Sequence, residues 1–190
     1  MCNKDHIFDP FVNTSGVNMD SVFSIIAVAV IGLLFAASFL HKLLNFPDFV
    51  ASVQDYRLLW SGLTLPIAGM LALMELVVVV ALVQPGSRGL GAILAIILLL
   101  LYATGIGINL LRGRTAVHCG CSWGNDKQFI RPGMLLRNAA LAAVAGFILL
   151  PSNGRELLWM DWVSVGATTL VFAFFYLAAE RLTSFQAKPK

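Results

Sequence analysis

Five long runs of apolar residues, separated by short polar connections, dominate the chain. A helix needs about 20 apolar residues to cross the hydrocarbon core of a bilayer, and in lipid its backbone polar groups must be satisfied within the helix. The pattern therefore predicts an all-α fold, a polytopic transmembrane helical bundle of about five spans. The predicted spans are residues 21–44, 66–83, 90–111, 134–150 and 162–179. They form one transmembrane domain, residues 20–182, between a polar N-terminal segment, 1–19, and a polar C-terminal tail, 183–190.

The connection between the first two predicted spans, residues 45–63, has a different pattern. Apolar and aromatic residues recur there at steps of three and four, with polar residues between them. That period predicts an amphipathic helix, about residues 46–60, lying at the membrane surface. The alternative is an ordinary polar connection with scattered aromatics. The periodic residues are Phe46, Phe49, Val50, Val53, Tyr56 and Trp60.

Composition supports a membrane protein and excludes several other classes. Hydrophobic residues make up 58% of the chain and charged residues 12%, whereas soluble domains average roughly 45–50% and 25%. A soluble domain of 190 residues needs more polar surface than this, and a disordered chain needs less apolar content. The net charge of +3 gives no basic face for nucleic acid. The functional residues must therefore lie among the few polar exceptions.

Lysine and arginine are distributed unevenly between the two sides that five spans would define. The side of the N-terminus has three, Lys4, Arg88 and Arg155, and the other side has ten, including Lys42. The positive-inside rule then places the N-terminus outside and the connection between the third and fourth spans in the cytoplasm. Four of the ten lie in that connection and a fifth, Arg137, lies just after it; without these five, a count of five against three decides little.

The pair Cys119-Gly120-Cys121 lies in the connection 112–133, just past the third span. Two thiols one residue apart can close a very small disulfide ring, and Gly120 permits the turn that this ring requires. Small strained disulfides tend to be exchangeable rather than structural. Arg112, Arg114 and His118 would favour the reactive thiolate. The pattern therefore predicts a redox-active pair and a loop for thiol chemistry.

Two alternatives for the cysteines remain open at this stage. They are either inert thiols or, together with His118, soft ligands for copper or zinc. A closed metal site would need a fourth ligand. Cys2 and His6 fall across the membrane from Cys119, whereas His41 lies on the same side. No metal is assigned.

Glu75 falls near the middle of the second predicted span. A carboxylate there is costly and is a functional candidate by default. It could carry protons coupled to thiol or quinone redox chemistry, and in the second case a quinone would be the cofactor. The alternative is a protonated Glu75 that holds helices together by hydrogen bonds to Thr104 or Asn109 of the third span. Gly105-Ile106-Gly107, in the same span, predicts close helix packing.

Two stretches resemble a known family. His41 to Phe49, with Tyr56-Arg57-Leu58-Leu59, resembles the loop after the first span in DoxX-like membrane proteins. Asn109 to Arg114, followed by His118-Cys119-Gly120-Cys121, is similar to the signature of the redox-associated MauE branch. The resemblance covers residues 20–180.

This resemblance implies a role in the bacterial inner membrane. The chain would assist disulfide formation in the small subunit of methylamine dehydrogenase, with a thioredoxin-like, membrane-anchored partner of the MauD type. Cys119 and Cys121 would be the exchanging pair, which would make the protein a thiol–disulfide oxidoreductase. The implied substrate is periplasmic, whereas the charge rule places the cysteines in the cytoplasm. Three explanations would resolve this conflict. The arginines serve the redox centre and so mislead the charge rule, or electrons pass through the membrane, or the cysteine pair lies at bilayer depth and is reached from both faces.

Two other function classes compete with thiol–disulfide exchange. The first is a non-catalytic assembly factor for the same enzyme, in which the cysteines are dispensable. The second is a transporter for a metal or small solute that uses Glu75 and the thiols, although the chain lacks the internal repeats that are typical of transporters. Removal of both cysteines separates the first class from the redox interpretation.

Overall fold

Helices make up almost all of the structure, which is a computed structural model describing residues 19–57, 60–113, 132–153 and 158–185. Six α-helices occur within these ranges. They are α1 (Ser21–Leu44), α2 (Phe46–Asp55), α3 (Thr64–Val83), α4 (Arg88–Leu111), α5 (Pro132–Phe147) and α6 (Trp159–Phe185). Each of the five predicted spans therefore corresponds to one helix, and the all-α prediction is confirmed.

Four of the helices, α1, α3, α4 and α6, are long and apolar enough to cross a membrane. The chain is thus a multi-pass membrane protein. The fourth predicted span is α5, which has 16 residues and ends in a turn at residues 148–150. Five crossings therefore remain a prediction.

The centre of the bundle contains α1, α3, α4 and α5. Their contacts include small side chains with no exposed surface, Ala92 and Ala95 on α4 and Ala145 on α5. Small residues let helix backbones approach closely in a membrane, where lipid removes the hydrophobic drive between helices. Helices α3 and α4 approach closely at Gly91, where an added Cβ atom would lie 2.9 Å from the backbone nitrogen of Leu82 on α3.

A short backbone pairing connects the two ends of the fold. The two-residue strand β1 (Met19–Asp20) pairs in parallel with β2 (Ser152–Asn153), with Met19 opposite Ser152. Strand β1 precedes α1 and β2 follows α5. The start of α1 and the end of α5 consequently lie at one face of the bundle, as an alternating arrangement of helices requires.

The predicted helix at residues 46–60 is shorter than the sequence pattern suggested. Helix α2 ends at Asp55, and Arg57 adopts a left-handed conformation with φ of 46°. Phe49 and Ser52 of α2 are buried whereas Asp48 and Gln54 are exposed, and the place of α2 at the membrane surface stays a prediction. Trp60 lies outside the helix and is 84% exposed. Helix α2 therefore packs its apolar side against the bundle.

Candidate functional site

The predicted thiol site falls largely outside the part of the chain that the structure describes. Arg114, His118, Gly120 and both cysteines belong to residues 114–131. Cys2 and His6 lie outside the described residues as well. The described ranges contain no group of three His, Cys, Asp or Glu residues able to hold a metal ion, and the metal alternative for Cys119, Cys121 and His118 lies outside those ranges.

The end of α4 shows how the chain enters this connection. The Arg112 amide donates to the Ile108 carbonyl at 3.1 Å, and the Gly113 amide donates to the Leu110 carbonyl at 3.0 Å. Gly113 has a φ of +68°, the left-handed conformation that commonly ends helices and that glycine adopts without steric cost. The Arg-Gly-Arg sequence thus has a local structural reason, because its glycine terminates α4. The Arg112 side chain is exposed next to the start of the connection.

Glu75 belongs to a buried polar cluster that joins three helices. Its Oε1 accepts hydrogen bonds from Tyr102 of α4 at 2.8 Å and from Ser38 of α1 at 3.2 Å. The Lys42 ammonium of α1 also donates to Oε1 and forms an ion pair with the carboxylate. Lys42 is 0% exposed and Glu75 is 1% exposed. We call Ser38, Lys42, Glu75 and Tyr102 the buried polar cluster.

Aromatic rings complete the environment of the Lys42 ammonium. Its Nζ lies 4.7 Å from the ring centroids of both Phe49 and Tyr102, and 3.1 Å from the Tyr102 hydroxyl. A cation over an aromatic face within about 6 Å is stabilised by the ring quadrupole. Phe49 belongs to α2, which explains why this short helix is held against the bundle. The cluster and Phe49 together therefore connect four of the six helices in the described ranges.

Thr104 and Asn109 are not the partners of Glu75, and that part of the sequence prediction is wrong. The Thr104 hydroxyl donates to the Leu100 carbonyl at 2.8 Å, and the Asn109 amide donates to the Gly105 carbonyl at 3.1 Å. Both side chains thus bond within their own helix. The packing interpretation of residues 105–107 fits the structure, because Ile106 is buried against Met134 and Leu135 of α5.

Lys42 is the residue of the cluster that sequence reasoning missed, because it was counted as a charge in a connection. It is instead the third-last residue of α1 and points into the bundle, so it does not belong in the positive-inside count. A signal was present in the sequence. An acid within a span calls for a partner, and Ser38 and Lys42, four residues apart, form a polar stripe on one face of α1.

Comparison with known proteins identifies the family of this chain. The family profile described as "Methylamine utilisation protein MauE" matches residues 19–151, a range that includes the buried polar cluster and both cysteines of the connection. This chain belongs to the MauE family. The resemblance inferred from the sequence is thereby confirmed.

Relatives that carry the MauE name are similar over much of the chain. "Methylamine utilization protein MauE" of Methylophilus methylotrophus is 30% identical over 171 residues, which cover 88% of this chain and 90% of the relative. The protein of that name from Methylorubrum extorquens is 36% identical, covering 73% and 77%. That from Paracoccus denitrificans is also 36% identical, covering 60% and 62%. No solved structure matches the chain.

Proposed function

We propose that this protein acts in methylamine utilisation, in the bacterial inner membrane, by thiol–disulfide exchange at Cys119 and Cys121. The observation that carries the proposal is the Cys-Gly-Cys sequence in a member of the MauE family. The family name supports the metabolic context, and the paired thiols support the chemistry. The partner would be a thioredoxin-like, membrane-anchored protein, and the substrate would be the small subunit of methylamine dehydrogenase.

The exchange needs only the two cysteines and a dithiol partner. A partner thiolate attacks one sulfur of the Cys119–Cys121 disulfide, forming a mixed disulfide and releasing the other sulfur as a thiolate. The second partner thiolate then attacks the mixed disulfide. The partner leaves oxidised and the cysteine pair is left reduced, so two electrons pass from the partner to the pair. Arg112, exposed next to the end of α4 and seven residues before Cys119, would favour the reactive thiolate together with Arg114 and His118.

The buried polar cluster supports this function by fixing the helices that enter the connection. Helix α4 precedes residues 114–131 and α5 follows them. Tyr102 joins α4 to the Lys42–Glu75 ion pair, and α5 packs on α4 around Ile106. The two ends of the connection are therefore held at neighbouring helices. A rigid base keeps a reactive pair in a defined position for a docking partner.

Trapping of the mixed disulfide tests the proposal directly. Cys119→Ser and Cys121→Ser are prepared separately in the full chain and expressed with the partner. The variant that retains the attacked cysteine should accumulate a covalent complex, visible on a non-reducing gel and lost on reduction. Cys2→Ser is the matched control and should form no trapped complex while supporting normal maturation of the dehydrogenase.

The double variant Cys119→Ser, Cys121→Ser separates redox chemistry from assembly. We expect it to form no covalent complex and to fail to support maturation of the dehydrogenase small subunit. Full maturation with the double variant would refute thiol exchange and would leave the non-catalytic assembly factor as the function.

A further inference from the structure

A partly open cavity of about 220 Å³ lies beside the buried polar cluster. Residues from α1, α3, α4, α5 and α6 line it. Its walls are mainly apolar and include Phe35, Leu99 and Leu141. A space with apolar walls and a few polar groups is the usual form of a small-molecule site.

Glu75 gives this cavity an unused hydrogen-bond acceptor. Its Oε1 atom accepts all the bonds of the cluster, whereas Oε2 is buried and accepts no hydrogen bond from the described residues. Glu75 itself lines the cavity. A buried acceptor without a donor is destabilising, so a ligand that donates a hydrogen bond to Oε2 would remove that destabilisation. A carboxylate or phosphate ligand is disfavoured because it would meet the Glu75 charge.

The cavity also has donors away from Glu75. Arg137 and Asn138, adjacent residues of α5, both line it, and Asn138 is 5% exposed. The Arg137 guanidinium lies 5.5 Å from the ring centroid of Tyr176, another lining residue. A ligand with one oxygen near Glu75 and a second oxygen near α5 would therefore find polar partners for both.

The volume of the cavity suits a single ring. An apolar cavity of about 150 Å³ accommodates benzene, and the present cavity of about 220 Å³ leaves room for a few substituents. We propose that this cavity binds a neutral, substituted aromatic ring bearing hydroxyl groups, the chemistry of a hydroquinone, with one hydroxyl donating to Oε2 of Glu75. The binding site goes beyond thiol exchange and does not depend on it.

The test uses the purified full-length protein in detergent and trimethylhydroquinone as the probe, titrated anaerobically by calorimetry. Pentamethylbenzene is the matched ligand, because a methyl group of nearly the same size replaces each hydroxyl and donates no hydrogen bond. We expect pentamethylbenzene to bind at least about tenfold more weakly, as the loss of one hydrogen bond to a charged acceptor implies. Equal binding of the two compounds, or binding of neither, overturns the proposal without need of any variant.

A second experiment fills the cavity with a larger side chain. Ala173→Phe on α6 places a ring among the lining residues and should weaken trimethylhydroquinone binding at least tenfold. Ala167→Phe is the control, since Ala167 lies on the same helix but is exposed. If both variants bind as the unmodified protein does, the compound binds elsewhere and the assignment is wrong. The Cys119→Ser, Cys121→Ser variant should bind normally, which distinguishes failure of this site from failure of thiol exchange.

Discussion

Removal of either charge from the buried polar cluster should destabilise the protein far more than removal of both. Lys42 and Glu75 are 0% and 1% exposed, so Lys42→Met leaves a carboxylate, and Glu75→Leu leaves an ammonium, without a counter-ion inside the bundle. Breaking a buried ion pair from one side costs about 3–5 kcal/mol. We expect values near the lower end of that range for both variants.

The contacts that each single variant keeps explain why its expected loss of free energy is near the lower end of the range. After Lys42→Met, the carboxylate still accepts hydrogen bonds from Tyr102 and Ser38. After Glu75→Leu, the ammonium still lies near the Tyr102 hydroxyl and over two aromatic rings. A loss of about 3 kcal/mol lowers the folding equilibrium constant roughly a hundredfold. The double variant Lys42→Met, Glu75→Leu should lose about 1–2 kcal/mol, because a pair of apolar side chains of similar size often replaces an ion pair at little cost.

These free energies are measured by reversible unfolding in mixed micelles. The protein is titrated with dodecyl sulfate, and its circular dichroism reports the folded fraction. Single losses near 3 kcal/mol and a double loss of about 1–2 kcal/mol correspond to a coupling of about 4–5 kcal/mol between the two sites. Thr104→Val is the matched control, since Thr104 bonds only within α4, and its effect should be under about 0.5 kcal/mol and additive with Glu75→Leu. Additive losses for Lys42→Met and Glu75→Leu, within about 0.5 kcal/mol, would refute the inference that the ion pair stabilises the bundle.

Three other predictions concern packing and topology. Gly91→Ala should destabilise the protein by about 1–3 kcal/mol because its Cβ would meet the backbone of α3, whereas Gly89→Ala, with open space around it, should stabilise by up to about 1 kcal/mol. In the same unfolding assay, Phe49→Leu should cost about 1–2 kcal/mol through lost ring contact with the Lys42 ammonium, and an equal loss for Phe174→Leu, which is 72% exposed, would contradict that cause. Reporter fusions at the two termini should report opposite compartments, and matching compartments would rule out five crossings.

Hydropathy determined the positions of the long helices with small errors. The predicted second span began at residue 66 and α3 begins at Thr64, while the third began at residue 90 and α4 begins at Arg88. The last predicted span, 162–179, is part of α6, which continues to Phe185. These errors occur at helix ends because hydropathy records apolar length, whereas a helix ends where its backbone hydrogen bonds end.

Hydropathy and apolar periodicity did not predict the length of α2. The apolar period continues through Tyr56 to Trp60, but the backbone leaves the helix at Asp55. Arg57 then takes a positive φ, which a side-chain pattern does not report. Periodicity shows which residues can share a face, and it does not show whether the chain must turn to begin the next helix.

The sequence by itself determined that this is a helical membrane protein, and it predicts that the chemistry rests on a few polar residues with Cys119 and Cys121 as the candidate thiols. These conclusions follow from local properties, namely apolar length, charge and cysteine spacing. Only the tertiary structure decided the partner of Glu75. Lys42 is 33 residues away along the chain, and its position at the end of α1 resembles that of an ordinary interfacial lysine. The bundle brings its ammonium inward because an ion pair with a buried carboxylate is less costly than either charge alone in a medium of low dielectric constant.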